Sequence, residues 1–98
     1  MRLVRDKIPE IMNAKGKKPI SHIANADEFK RSLIEKLDEE ALEIKKELNA
    51  EELADLLEVI YYLGKLIGLT PQDLEEIRIK KAEEKGSFSK KIILENPK

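Results

Sequence analysis

Four acids carry the chemistry this chain could do. Glu40 and Glu43 stand in the stretch Leu37-Asp38-Glu39-Glu40-Ala41-Leu42-Glu43-Ile44, and Glu52 and Asp55 in Glu51-Glu52-Leu53-Ala54-Asp55-Leu56-Leu57-Glu58. Each pair is spaced i,i+3, so its members share one face of a helix. On a helical wheel Glu52 and Asp55 fall on the flank of Val59 and Tyr62, away from the polar side of Glu58 and Lys65. Glu40 and Glu43 likewise border an apolar stripe. Ionised carboxylates in such places are costly unless a cation neutralises them or their pKa values rise. Four carboxylates from two neighbouring helices suit a hard divalent cation such as Mg²⁺, which in proteins most often meets phosphate. The plainer alternative is structural. Glu52 fits the third position of a capping box begun by Asn49, and Glu39, Glu40 and Glu43 can pair with Lys36, Lys45 and Lys46 on a solvated face.

A second candidate lies further along. Arg78, Lys81 and Lys85 follow Leu74 at i+4, i+7 and i+11, a basic line on one helix face with Lys90 and Lys91 beyond it. It could hold phosphate oxygens opposite the acids, or simply complement a helix C-terminus. Tyr61 and Tyr62 could stack on a base, although tyrosines in an apolar stripe more often serve core or interface. His22, the single histidine, makes no metal constellation by itself, and no Ser/His/Asp grouping can be assembled.

The elements that must position these residues are helical. The pattern predicts a short first helix capped by Asp6 with Pro9 in its first turn, stopping near Gly16. Residues 19–24 are ambiguous. A second helix is expected from Asn25 or Asp27 to about Leu48, with the stripe Leu33, Ile34, Leu37, Ala41, Ile44 and Leu48. A third should run from about Ala50 to Ile67, with Asn49 as N-cap and Gly68 as its stop. The short connection at Asn49 makes these two helices antiparallel. Thr70 as N-cap and Pro71 at the first position open a fourth helix that ends near Lys85–Gly86. Residues 89–95 are left between a short strand and a packed tail. On the third helix Leu53, Leu56, Leu57, Ile60, Leu63 and Ile67 form one broad apolar face that Val59, Tyr62 and Leu66 widen. A helix apolar nearly all round is buried on several sides, so an oligomer is expected.

The totals agree with one small helical domain over residues 1–98. The chain has 98 residues, 41% hydrophobic and 40% charged, enough for one modest core. A net charge of −1, from 19 basic and 20 acidic residues, argues against a general nucleic-acid or membrane-surface binder. The absence of cysteine excludes disulfides, thiolate metal sites and a cysteine nucleophile. No apolar run follows the first residues and no stretch is long enough to span a bilayer, so a cytoplasmic location is expected.

These segments also resemble the MazG-like, all-α nucleoside triphosphate pyrophosphohydrolases. The EExxE and ExxD elements of that superfamily are matched by Glu39-Glu40-Ala41-Leu42-Glu43 and Glu52-Leu53-Ala54-Asp55-Leu56-Leu57. The opening Leu3-Val4-Arg5-Asp6-Lys7-Ile8-Pro9-Glu10-Ile11 is similar to that of its small phosphoribosyl-ATP pyrophosphohydrolase-like, house-cleaning branch. The ending of that branch is echoed by Lys81, Lys85-Gly86-Ser87-Phe88 and Lys91-Ile92-Ile93-Leu94, with Lys85 and Ser87 where the branch has Arg and Gly. The resemblance implies an antiparallel bundle of about four helices, with short extended segments admissible at either end, assembled as a homodimer or homotetramer. It implies Mg²⁺ held by Glu40, Glu43, Glu52 and Asp55, phosphates steadied by Lys81 and Lys85, and hydrolysis of a nucleoside triphosphate to monophosphate and pyrophosphate. The alternatives are a phosphoribosyl-ATP pyrophosphohydrolase of histidine synthesis, or a helical dimerisation or nucleotide-binding module without catalysis.

Overall fold

The computed structural model describes residues 1–96. Four α-helices follow one another: α1 (Ile8–Ala14), α2 (Ala26–Lys46), α3 (Ala50–Leu66) and α4 (Pro71–Lys85). The all-α class and the four expected elements are present, and no strand occurs among the described residues.

Three helix starts follow their caps. Asn25 and Asn49 are in extended backbone and accept from the N–H of Glu28 and Glu52, each at 2.9 Å. Thr70 accepts from the Asp73 N–H at 3.0 Å while the Asp73 carboxylate accepts from the Thr70 N–H at 2.9 Å, a full capping box. The first helix differs from expectation. Asp6 does not cap it; Lys7 occupies the cap position with φ −87° and ψ −5°, and no side chain caps the helix. A side-chain cap needs extended backbone. Here the chain enters through a turn instead, in which the Ile8 N–H donates to the Arg5 carbonyl at 3.0 Å.

α2 and α3 pack against one another as the main unit, and α4 leans on α3 alone. The α3–α4 approach is close at Gly64, where a Cβ would stand 2.8 Å from Leu74 Cδ1. The core of the α2–α3 pair is narrow. Only Leu33 and Val59 are apolar and buried, at 3% and 6% exposure. The broad face expected of α3 divides in two. Val59 and Leu63 turn toward cover, whereas Leu53, Leu57, Ile60 and Ile67 remain exposed. One neighbouring helix covers only one strip of a cylinder, and the strip α2 covers is the flank carrying Glu52, Asp55 and Val59.

Residues 89–95 are neither strand nor packed tail. Ile92, Ile93 and Leu94 are all exposed, and an isolated segment beside helices has no ladder to join. The whole molecule is open for its mass. Its accessible surface is 9053 Å², against roughly 5,700 Å² for a folded monomer of 11.3 kDa. Its radius of gyration is 17.5 Å, where a compact chain of this length has about 13 Å. Irregular segments at 17–24 and 87–96 contribute to this excess, together with the uncovered faces of α2, α3 and α4. No described helix is long and apolar enough to cross a membrane.

Candidate metal centre

The antiparallel α2–α3 pair places the C-terminal half of α2 beside the first turns of α3. Glu40 is thereby brought against Glu52 and Asp55: one carboxylate oxygen from each lies within 4.8 Å of the others. Glu40 is buried at 7% exposure, and Glu52 and Asp55 are half-buried. Asn49 caps α3 through the N–H of Glu52, and no reciprocal bond occupies the Glu52 side chain. Its carboxylate is left for the cluster.

A cleft of about 400 Å³ is lined by two of the three acids, Glu40 and Asp55, and not by Glu52. Its apolar lining comes from Phe29, Leu33, Val59 and Tyr62, with Leu3 and Val4 of the N-terminal segment. Its charged lining has both signs, with Arg2, Arg5 and Lys36 facing Glu40, Asp55 and Glu58. Arg5 Nη2 donates to Asp55 Oδ1 at 2.7 Å, and its Nη1 stands 3.6 Å from Glu58. Lys36 Nζ reaches Glu40 at 3.5 Å and Glu39 at 3.6 Å; Arg2 Nη2 donates to Glu39 at 2.7 Å. Among the described residues no cation pairs with Glu52.

The electrostatics follow from this arrangement. Loss of water raises the Glu52 pKa above the ordinary carboxylate value, and Asp55, Glu40, Glu43 and Glu51 push it further in the same direction. The Arg5 pKa is raised, first by its hydrogen bond to Asp55. The acid group is therefore under-neutralised, with two of its three members leaning on side-chain cations and the third on none.

The donor set is of the kind that takes Mg²⁺. All three donors are hard carboxylate oxygens, and neighbouring ligands of an octahedral Mg²⁺ stand roughly 3 Å apart. Oxygens within 4.8 Å of one another would have to close by up to about 2 Å.

Three of the four expected acids, Glu40, Glu52 and Asp55, are thus together. Glu43 stands apart, 3.6 Å from Lys46, yet within electrostatic reach of Glu52. The basic line of α4 does not line the cleft. Arg78 is bonded to Glu75, its Nε donating at 2.9 Å, and Lys81 and Lys85 border a separate shallow groove with Ile77 and Glu84. Within one chain α4 packs on α3 alone, which leaves its basic line at a different groove from the acids. The cations that do line the cleft are Arg2, Arg5 and Lys36. Lys36 was legible as a partner of Glu40 at i,i+4, but on a solvated face. Arg5 carried no periodic signal, since it precedes α1 and meets Asp55 across 50 positions of sequence.

Comparison with known proteins gives little beyond this geometry. No family model matches the chain, and no solved structure matches it. An uncharacterized protein of Mycolicibacterium smegmatis is 43% identical over 44 residues. That stretch spans 45% of this chain and 45% of that relative.

Proposed function

We propose that the chain is a Mg²⁺-dependent nucleotide pyrophosphohydrolase of the MazG-like, all-α kind, acting on a nucleoside triphosphate in the cytoplasm. The observation that carries the reading is the convergence of Glu40, Glu52 and Asp55, drawn from two helices, beside a cleft that Glu40 and Asp55 line together with Arg2, Arg5 and Lys36. Carboxylates alone would repel a nucleotide, and cations alone would need no metal. Together they suit a magnesium–polyphosphate pair.

In the proposed reaction water is added across the α,β-phosphoanhydride, and the products are nucleoside monophosphate and pyrophosphate. Bound Mg²⁺ would supply charge neutralisation at the phosphates and a water of lowered pKa. Glu40, Glu52 and Asp55 would hold it, with Glu43 at the edge of the set. One of these carboxylates would orient the attacking water and take its proton. Arg2, Arg5 and Lys36 would steady phosphate oxygens. Tyr62, which lines the cleft, offers a face for the base. Lys81, Lys85 and Arg78 would reach the phosphates only from another subunit.

The reading includes a homodimer or homotetramer. It is supported by an accessible surface well above that of a compact monomer and by the exposed apolar strip of Leu53, Leu57 and Ile60 on α3 with Ile67 at its C-cap.

Pyrophosphate release from a panel of canonical and damaged nucleoside triphosphates, with Mg²⁺ and with EDTA, tests the assignment. Turnover should require Mg²⁺ and should fall by about 100-fold or more in Asp55→Ala, with helix content retained. Full activity in that variant would sink it. Phosphoribosyl-ATP preferred far above the triphosphates would move the chain to histidine synthesis. Silence on every nucleotide would leave a helical binding module.

A further inference from the structure

The N-terminal segment before α1 lies over the cleft and is tied to both of its walls. Arg2 bonds Glu39 of α2, Arg5 bonds Asp55 of α3, and Leu3 and Val4 between them are half-buried in the lining. Arg5 thus rests on a carboxylate that the proposed function needs for its cation. The two groups are 55% and 38% exposed, and an ion pair this open to water contributes little and is readily exchanged. Glu58, 3.6 Å from the same guanidinium, stays available when Asp55 is taken.

We propose that Arg5 is the exchangeable counter-ion of this site: it holds Asp55 in the metal-free chain, and it turns to the phosphates of a nucleoside polyphosphate when a divalent cation takes that carboxylate. The inference rests on the reading of Glu40, Glu52 and Asp55 as a metal centre. An arriving dication repels a guanidinium bonded to its ligand, and a polyphosphate in the cleft attracts it. The charges facing Arg5 set the direction of the exchange. They are Asp55 and Glu58 on α3, Glu40 and Lys36 on α2, and Arg2 and Asp6 on its own segment. Lys36 is held by Glu39 and Glu40 on one helix, whereas Arg5 sits on an irregular segment that can shift without unwinding a helix. A planar guanidinium also suits phosphate, because its fork meets two oxygens at once.

Calorimetric titration of the full chain with Mn²⁺, and then of the Mn²⁺-saturated chain with non-hydrolysable α,β-imido nucleoside triphosphates, tests the exchange without any turnover. Arg5→Gln should bind Mn²⁺ about fivefold tighter than wild type, the order expected when the cation no longer has to displace an exposed ion pair of unit charges. It should bind the analogue about tenfold or more weaker. Arg5→Lys should keep the wild-type Mn²⁺ affinity and still lose analogue affinity, and because it keeps the charge it guards against a variant whose segment no longer seats. Mn²⁺ binding by Arg5→Gln that is no tighter than wild type, or analogue binding equal to wild type, overturns this inference alone. Wild type that binds no Mn²⁺ overturns the metal centre and the inference with it.

Discussion

Glu52 is the acid of the cluster that no side chain neutralises, and that sets its behaviour with pH. Its raised pKa means that the folded chain holds a proton more firmly than the unfolded chain. The metal-free fold therefore loses stability as pH rises from the ordinary carboxylate value through the raised one. Glu52→Gln should melt higher than wild type near neutral pH in EDTA, and the gain should vanish in acid, where both states of wild type are protonated. Scanning calorimetry at pH 4 and pH 7 checks this, and an equal gain at both would show that the effect is not the charge. Divalent cation should reverse the order by stabilising wild type more than the variant. Lys36 makes the opposite case. Its ammonium serves the buried Glu40, and Lys36→Met leaves that carboxylate without its cation. The expected cost is about 1–3 kcal/mol of stability in EDTA, partly restored by Mg²⁺, and urea melts with and without the ion measure it.

At the scale of elements, the two well-capped later helices bear differently on the site. Asn49 caps α3 through the N–H of Glu52 itself, so the cap and the acid cluster share a turn. Asn49→Ala should cost about 1 kcal/mol and also weaken Mn²⁺ binding, because the first turn of α3 frays. Thr70→Ala should cost a similar amount in α4 and leave Mn²⁺ binding unchanged, since α4 touches only α3, near Gly64 and Leu74. Equal effects of the two variants on metal affinity would contradict this division. The α4 cap has its own pH dependence. The Asp73 pKa is lowered by its bonds with Thr70, so the capping box supports the helix above the ordinary carboxylate value and is lost as pH falls through the depressed one.

For the whole molecule the deciding quantity is uncovered apolar surface. Leu53, Leu57 and Ile60 run along α3, with Ile67 at its C-cap, beside the strip that α2 covers, and Ile34, Leu42, Ile77 and Ile79 are exposed on the neighbouring helices. A second copy of this chain is the proposed cover. Light scattering at micromolar concentration should give the mass of a dimer or tetramer, and the melting midpoint should rise with concentration. Leu57→Asp should yield a monomer with a midpoint lower by about 4–16 °C, the shift that 1–2 kcal/mol causes in a domain of this size. A wild-type monomer with a concentration-independent midpoint would refute the assembly.

Periodicity and capping alone determined the helices, because both are local. Apolar residues every three or four positions, Asn25, Asn49 and Thr70 before them and Gly68 and Gly86 after them place α2, α3 and α4 to within a few residues. The i,i+3 acids were legible for the same reason, since helical spacing forces each pair onto one face. Tertiary structure decided what local rules do not contain. It chose which strip of α3 meets α2, and so which apolar residues are buried and which wait for another chain. It closed Glu40, Glu52 and Asp55 into one group and left Glu43 outside, because helix rotation and offset set distances across a pair. It brought Arg5 to Asp55 and kept the basic line of α4 away from the acids. Contacts over 50 positions depend on how whole helices dock, and that docking is settled by packing rather than by any short stretch of sequence.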